Sequence, residues 1–166
     1  MASGVKRIHY LLLSLAIVLI DGWTKWLVTR DIELHDSVTL IPHFFSLVHV
    51  RNSGAAFGIG ANAESRLVPL LLNGGALAVF AVVVVYAVRT AVSDRLLQTG
   101  LHLIIGGAIG NLIDRFRFGY VVDFLDVYLR DHHWPAFNVA DSAICIGIAL
   151  LLLDMRHKPN ALPSTT

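Results

Sequence analysis

Four apolar stretches set the pattern of the chain, at residues 10–28, 67–88, 96–113 and 139–155. Each approaches the ~20 residues that a helix needs to cross a ~30 Å hydrocarbon core. The second is the cleanest, with AVFAVVVVYAV at its centre. Only Asn73, Gly74 and Gly75 interrupt it, and glycines there suit close contact between helices. In the third, Gly106 and Gly110 have the small-xxx-small spacing that lets a neighbouring helix approach. The first begins like a secretory signal, with Lys6 and Arg7 before LLLSLAIVLI, but no small-residue cleavage site follows. An uncleaved helix is therefore expected. The pattern predicts an all-α membrane fold of four transmembrane helices, in a single domain over residues 1–166.

Two long connections break this pattern. Within residues 29–66, DSVTLIP and FFSLVHVR mix β-branched and aromatic residues in partial alternation, bounded by Pro42 and Gly54. That composition predicts a small extracytoplasmic β-rich segment, since irregular backbone cannot face lipid. RNSGAAFGIG comes next, with Gly54, Gly58 and Gly60 permitting tight turns and Asn52 able both to donate and to accept hydrogen bonds. Across residues 114–138, FRFGYVVDFLDVYLRDHHWP has apolar spacing suited to a surface amphipathic helix or loop. His132 and His133 are adjacent and read as surface residues, so no metal site is expected.

Composition agrees with a membrane protein. The chain is 55% hydrophobic and 15% charged, against about a quarter charged in ordinary soluble domains. A net charge of +1 gives no basic field for nucleic acid, and the single cysteine, Cys145, excludes a disulfide framework. Lys6, Arg7, Arg89, Arg95, Arg156 and Lys158 fall in three short segments, whereas the other lysines and arginines spread over the two long connections. That density, with most of the acids and Trp23, Trp26 and Trp134 on the other side, places both termini in the cytoplasm.

Against this background the acids need a reason, because carboxylates at the edge of hydrocarbon are rare and usually functional. Asp21 and Lys25 are spaced i, i+4, as for an ion pair at the membrane edge. The third apolar stretch ends in NLIDR, where Asn111 and Asp114 share a face with Gly107 and Arg115 lies four residues after Asn111. Asp123 sits in VVDFLDV and Asp141 in FNVADSA. Asn138 and Asp141 have the spacing of a capping box, so Asp141 would lie in a helix's first turn, where the dipole favours negative charge. Asp123, in apolar surroundings, would more readily keep a proton. Such a pair titrates as a unit, one member taking a proton from water and the other bonding the attacked carbonyl. Ser142 has no Lys or His well placed on its helix, and Cys145 has no partner histidine in reach. A proton-coupled transporter or channel subunit, or a structural assembly subunit, would be the competing classes; neither accounts for the acids clustering at one membrane face.

In DGWTK, RNSGAAF, GGAIGNLIDR, VVDF and FNVADSA, in that order between four apolar stretches, the chain resembles the bacterial lipoprotein signal peptidases, or signal peptidases II. Gly22 and Thr24 depart from the residues more usual in the first block. The resemblance implies an aspartic endopeptidase of the bacterial cytoplasmic membrane. Its dyad falls on Asp123 and Asp141, and supporting residues fall on Asp21, Lys25, Asn52, Asn111, Asp114, Arg115 and Asn138, with Gly54 in the same block as Asn52. It implies removal of signal peptides from diacylglyceryl-modified prolipoproteins, just before the lipidated cysteine and near the outer membrane face, without metal or cofactor. Lipid-modified prolipoproteins, the phospholipid bilayer and globomycin-like cyclic peptide inhibitors are the partners implied, with a monomer expected. On this reading Asn111 and Arg115 orient substrate and dyad, and Asn52 and Asn138 hold the substrate or the segment around Asp141. Asp114 braces Arg115, and the long connections form a lid and a platform.

Overall fold

A central helix organises the molecule. The computed structural model describes residues 2–53 and 67–157, with side chains described over residues 7–53 and 74–156. Its helices are α1 (Ala2–Asp31), α2 (Leu67–Arg89), α3 (Arg95–Phe118) and α4 (Val139–His157), which coincide with the four apolar stretches. α3 packs against the other three. Its glycine ridge explains how closely. A Cβ on Gly107 would collide with the Ala140 carbonyl oxygen of α4, and one on Gly110 would lie 2.7 Å from Asp21 Oδ2 of α1. The backbones meet where side chains would hold them apart, as the small-residue spacing predicts. Gly74 and Gly75 differ from expectation: among the described residues a Cβ on either would meet nothing within 4 Å, so they mark no close contact with the described helices.

Outward faces of the helices stay apolar. Leu11, Leu15 and Leu19 on α1 are each more than half exposed, as is Val82 on α2. Uncovered apolar surface on this scale is not that of a soluble monomer. Two segments, Arg7–Asp31 and Arg95–Phe118, are long and apolar enough to cross a membrane among the described residues. The fold is thus mostly helical, membrane-type, with a small antiparallel sheet.

That sheet has strand order β1-β2-β3-β4, from β1 (Ser37–Ile41), β2 (Phe45–Asn52), β3 (Val121–Leu129) and β4 (His132–His133). β1 and β2, in the stretch expected to be β-rich, form an antiparallel hairpin that turns at His43 with φ 62°. β3 corrects the expectation of a surface amphipathic helix or loop. Val121, Val122, Asp123 and Phe124 are all buried. Four consecutive buried residues need cover on both faces, which a one-sided surface helix lacks and a strand between a sheet partner and helix ends obtains. α3 also runs on to Phe118, five residues past the expected end, and is closed by Gly119 in the left-handed conformation at φ 79°, whose N–H bonds Arg115 O at 3.0 Å.

Two junctions bring the polar residues of β2, β3 and α4 together. Antiparallel register sets Val50 opposite Asp123 and Asn52 opposite Val121. Phe124 and Leu125 N–H both donate to Phe137 O, at 2.9 and 2.8 Å, and Phe137 N–H donates back to Leu125 O at 3.1 Å. The start of α4 is thereby stitched to β3.

Candidate active site

The capping box read from the sequence forms at the head of α4. Asp141 N–H donates to Asn138 Oδ1 at 2.9 Å, and Asn138 N–H donates back to Asp141 Oδ2 at 3.3 Å. Satisfying the first orphan donors this way fixes the Asp141 side chain. Asn138 has no exposed surface, and its amide also turns inward. Nδ2 donates to Asp123 Oδ1 at 2.8 Å, and lies 3.2 Å from Asn111 Oδ1 and 3.3 Å from Val122 O. One asparagine therefore touches both aspartates.

Each carboxylate has its own amide besides. Asn52 Nδ2, at the end of β2, donates to Asp123 Oδ2 at 2.9 Å. Asn111 Nδ2, on α3, donates to Asp141 Oδ1 at 2.7 Å. Behind Asn111 lies a buried ionic floor. Lys25 Nζ donates to Asn111 Oδ1 at 3.1 Å and pairs with Asp21 Oδ2 at 2.7 Å and Asp114 Oδ2 at 2.9 Å. One hydrogen bond and two ion pairs thus converge on the ammonium. Asp21 Oδ1 in turn accepts the Ala140 N–H at 2.9 Å, and Asp114 Oδ2 accepts the Val122 N–H at 3.2 Å. The floor thus grips both backbone segments that bear the aspartates.

The environments of the two acids differ. Asp123 is 2% exposed. Burial pushes its carboxyl up to about 6, and the negative charge of Asp141 adds to this, against the opposing hydrogen bonds from Asn52 and Asn138. Desolvation disfavours the charged form, so the proton is held well above the usual carboxylate range.

Eight of the sequence-predicted residues converge here: Asp21, Lys25, Asn52, Asn111, Asp114, Asp123, Asn138 and Asp141. Gly54 lies outside the described residues, as does the part of the lid expected at residues 54–66. Arg115 is half-buried one turn beyond Asn111, and among the described residues its side chain makes no ion pair. The expected brace from Asp114 to Arg115 is replaced by the pair with Lys25. Neighbouring helical residues point about 100° apart, so Asp114 faces α1 and Arg115 does not. The Asp21–Lys25 pair forms as predicted but is buried, at 1% and 4% exposure, not at an open membrane edge. A second polar cluster was not foreseen: His133 Nδ1 lies 3.0 Å from Asp126, and its ring stacks on Tyr128. No local spacing marks it.

Apolar helices with uncovered outer faces, and a buried polar centre built on two carboxylates, define an integral membrane protein with an enzyme-like site. The model of the family described as signal peptidase (SPase) II matches residues 13–157, and the chain belongs to that family, whose members are peptidases. It is 51% identical to a lipoprotein signal peptidase of Syntrophotalea carbinolica over 144 residues, covering 86% of this chain and 88% of that one. With a lipoprotein signal peptidase of Geobacter metallireducens it shares 47% identity over 149 residues, 90% of each chain. A solved structure of a bacterial membrane enzyme, determined by the in meso method at 2.3 Å resolution, superposes with a TM-score of 0.72 at 28% identity, over 95% of this chain and 94% of that one.

Proposed function

We propose that this peptidase is a membrane aspartic endopeptidase with Asp123 and Asp141 as its dyad. Its substrates are diacylglyceryl-modified prolipoproteins, cut just before the lipidated cysteine. The observation that supports this reading best is the unequal pair itself. Asp123, raised to about 6 by burial, keeps a proton that an ordinary aspartate would lose. It can therefore hydrogen-bond the scissile carbonyl while Asp141 takes a proton from the attacking water. Collapse of the tetrahedral intermediate returns that proton to the leaving amine of the cysteine. No covalent enzyme intermediate forms. Asn52, Asn111 and Asn138 hold the acids in place, and Arg115, without an ion-pair partner among the described residues, binds substrate backbone.

In this reading all four helices cross the cytoplasmic membrane as one domain, with both termini in the cytoplasm and the site at the extracytoplasmic face. The exposed rings of Trp23, Trp26 and Trp134 support that placement, because indoles prefer the interface. The chain acts as a monomer, the sheet is the platform beneath the substrate, and globomycin-like cyclic peptides compete for the cleft. The direct test is to incubate purified protein with a lipidated precursor and identify both products by mass spectrometry. A single cut on the N-terminal side of the modified cysteine is expected. Cleavage elsewhere, or equal cleavage of the unlipidated precursor, would refute the substrate assignment.

The Asp123 shift also sets a pH profile. The active form has one proton on the pair, so kcat/KM should fall at low pH as a second proton binds. It should fall again as pH rises through the Asp123 value of the free enzyme, at about 6. Asn52 donates to the carboxylate and so favours the charged form. Asn52→Ala should therefore move the alkaline limb upward, whereas a residue that served only folding would lower activity and leave the limb in place.

A further inference from the structure

A cavity of about 320 Å³ lies between α1, α3 and the sheet, and neither Asp123 nor Asp141 lines it. It is separated from the dyad by the ionic floor, since Asp21, Lys25 and Asp114 form its inner wall. Its composition changes with depth along the helices. Val18 and Ile113 lie toward the apolar middle of α1 and α3, while Arg51, Arg117 and Trp26 lie at the other end. Gly22 contributes no side chain, and among the described residues a Cβ there would meet nothing within 4 Å.

On the wall of this cavity, His49 lacks what a buried polar group requires. His49 is 5% exposed, and its Nδ1 lies 2.9 Å from Ile32 O. A carbonyl oxygen only accepts, so Nδ1 carries the hydrogen, and in the neutral ring Nε2 is a bare acceptor. That Nε2 is closed to water and has no partner among the described residues, so a donor reaches it only as the cavity wall around His49 yields. A buried acceptor left unsatisfied bears its full desolvation penalty. A ligand with an N–H or O–H donor would remove that penalty.

The guanidiniums supply the other half of the recognition. Arg51 and Arg117 both line the cavity, both are exposed, and neither makes an ion pair among the described residues. Arg51 is stacked on Tyr120 at 4.7 Å and Arg117 on Phe118 at 5.0 Å, which orders them ahead of binding. Two ordered guanidiniums at the polar end of a cavity on membrane helices suit a phosphodiester. We infer that the cavity is a phospholipid headgroup site, with Arg51 and Arg117 on the phosphate and His49 Nε2 accepting from a headgroup amine or hydroxyl. The apolar wall takes the glycerol end of the acyl chains. A diacylglyceryl group alone fits poorly, because it has neither a phosphate for the arginines nor a donor for the histidine. With two acids to one base on the floor, an ethanolamine headgroup is the better of the two donors.

Native mass spectrometry on the purified full chain tests this, using titrations of phosphatidylethanolamine, phosphatidylglycerol, phosphatidylcholine and diacylglycerol. The first two should be retained at least tenfold more strongly than phosphatidylcholine, whose methylated amine has no N–H, and than diacylglycerol. Arg51→Gln with Arg117→Gln changes exposed side chains only, and should lower retention of phosphatidylethanolamine at least tenfold. His49→Asn keeps a donor for Ile32 O and deletes the Nε2 acceptor, so it should reduce phosphatidylethanolamine to the level of phosphatidylcholine. Excess inorganic phosphate should not displace the lipid. Equal retention of all four lipids, an unaffected double variant, or displacement by phosphate alone would overturn the assignment. The readout is binding, so it stands or falls apart from the proteolytic reading.

Discussion

Asp123→Asn and Asp141→Asn should each lower turnover of a lipidated precursor by about 10²–10⁴-fold, the usual worth of a positioned acid or base. The two should be equivalent in effect although their surroundings differ, because a one-proton pair fails when either member loses the ability to exchange it. The double variant should be no slower than the worse single one, as for residues that act as a unit. Folding should survive. The amide has the carboxylate's shape, and its oxygen can still accept one of the two bonds that Asp123 receives from Asn52 and Asn138. The other contact sets donor against donor, a cost of about 1–3 kcal/mol. Accumulation in the membrane and thermal stability of both variants are the controls, and turnover is followed by precursor gel shift. More than a tenth of wild-type turnover in a well-folded single variant would remove that residue from the chemistry.

Legibility in the sequence tracked the range of the interactions. The helices were legible because an apolar run of sufficient length admits few other fates. The capping box and the Asp21–Lys25 pair were legible because their members lie three and four residues apart. β3 was not, since VVDFLDV is buried on both faces and so lacks the one-sided alternation of an exposed strand. A short apolar run of this kind is ambiguous between helix and strand, and the partner that decides it, β2, lies about seventy residues upstream. The bonds from Lys25 to Asn111 and from Ala140 to Asp21 span 86 and 119 residues. Nothing local announces them. The misplaced brace of Asp114 has the same origin: adjacency in sequence suggested Arg115, whereas the fold delivered a lysine from another helix.

That lysine carries the second large effect. Lys25→Met would leave Asp21 and Asp114, 1% and 7% exposed, facing each other without a cation. Removing one partner of a buried ionic cluster costs about 3–5 kcal/mol, which in a chain of this size lowers Tm by roughly 6–20 °C at about 2–4 °C per kcal/mol. The triple variant Asp21→Asn, Lys25→Met, Asp114→Asn tests the cause. With no charge left buried it should regain most of that stability, since replacing a whole buried cluster is often neutral. The amide oxygen introduced by Asp21→Asn can still accept the Ala140 N–H, as Asp21 Oδ1 does. Activity should not return with stability. Lys25 is, with Asn138 Nδ2, one of the two donors that fix the Asn111 oxygen, and with it the direction of the Asn111 amide toward Asp141. An amide oxygen held by Asn138 alone loses the anchor on the α1 side and shifts that carboxylate, and misplacement by about 1 Å costs about 10²-fold. A thermal-shift and turnover comparison of the two variants therefore separates two roles of one residue. Stability restored with turnover still about 10²-fold down assigns Lys25 to positioning the acid, whereas recovery of both would make it a folding element only.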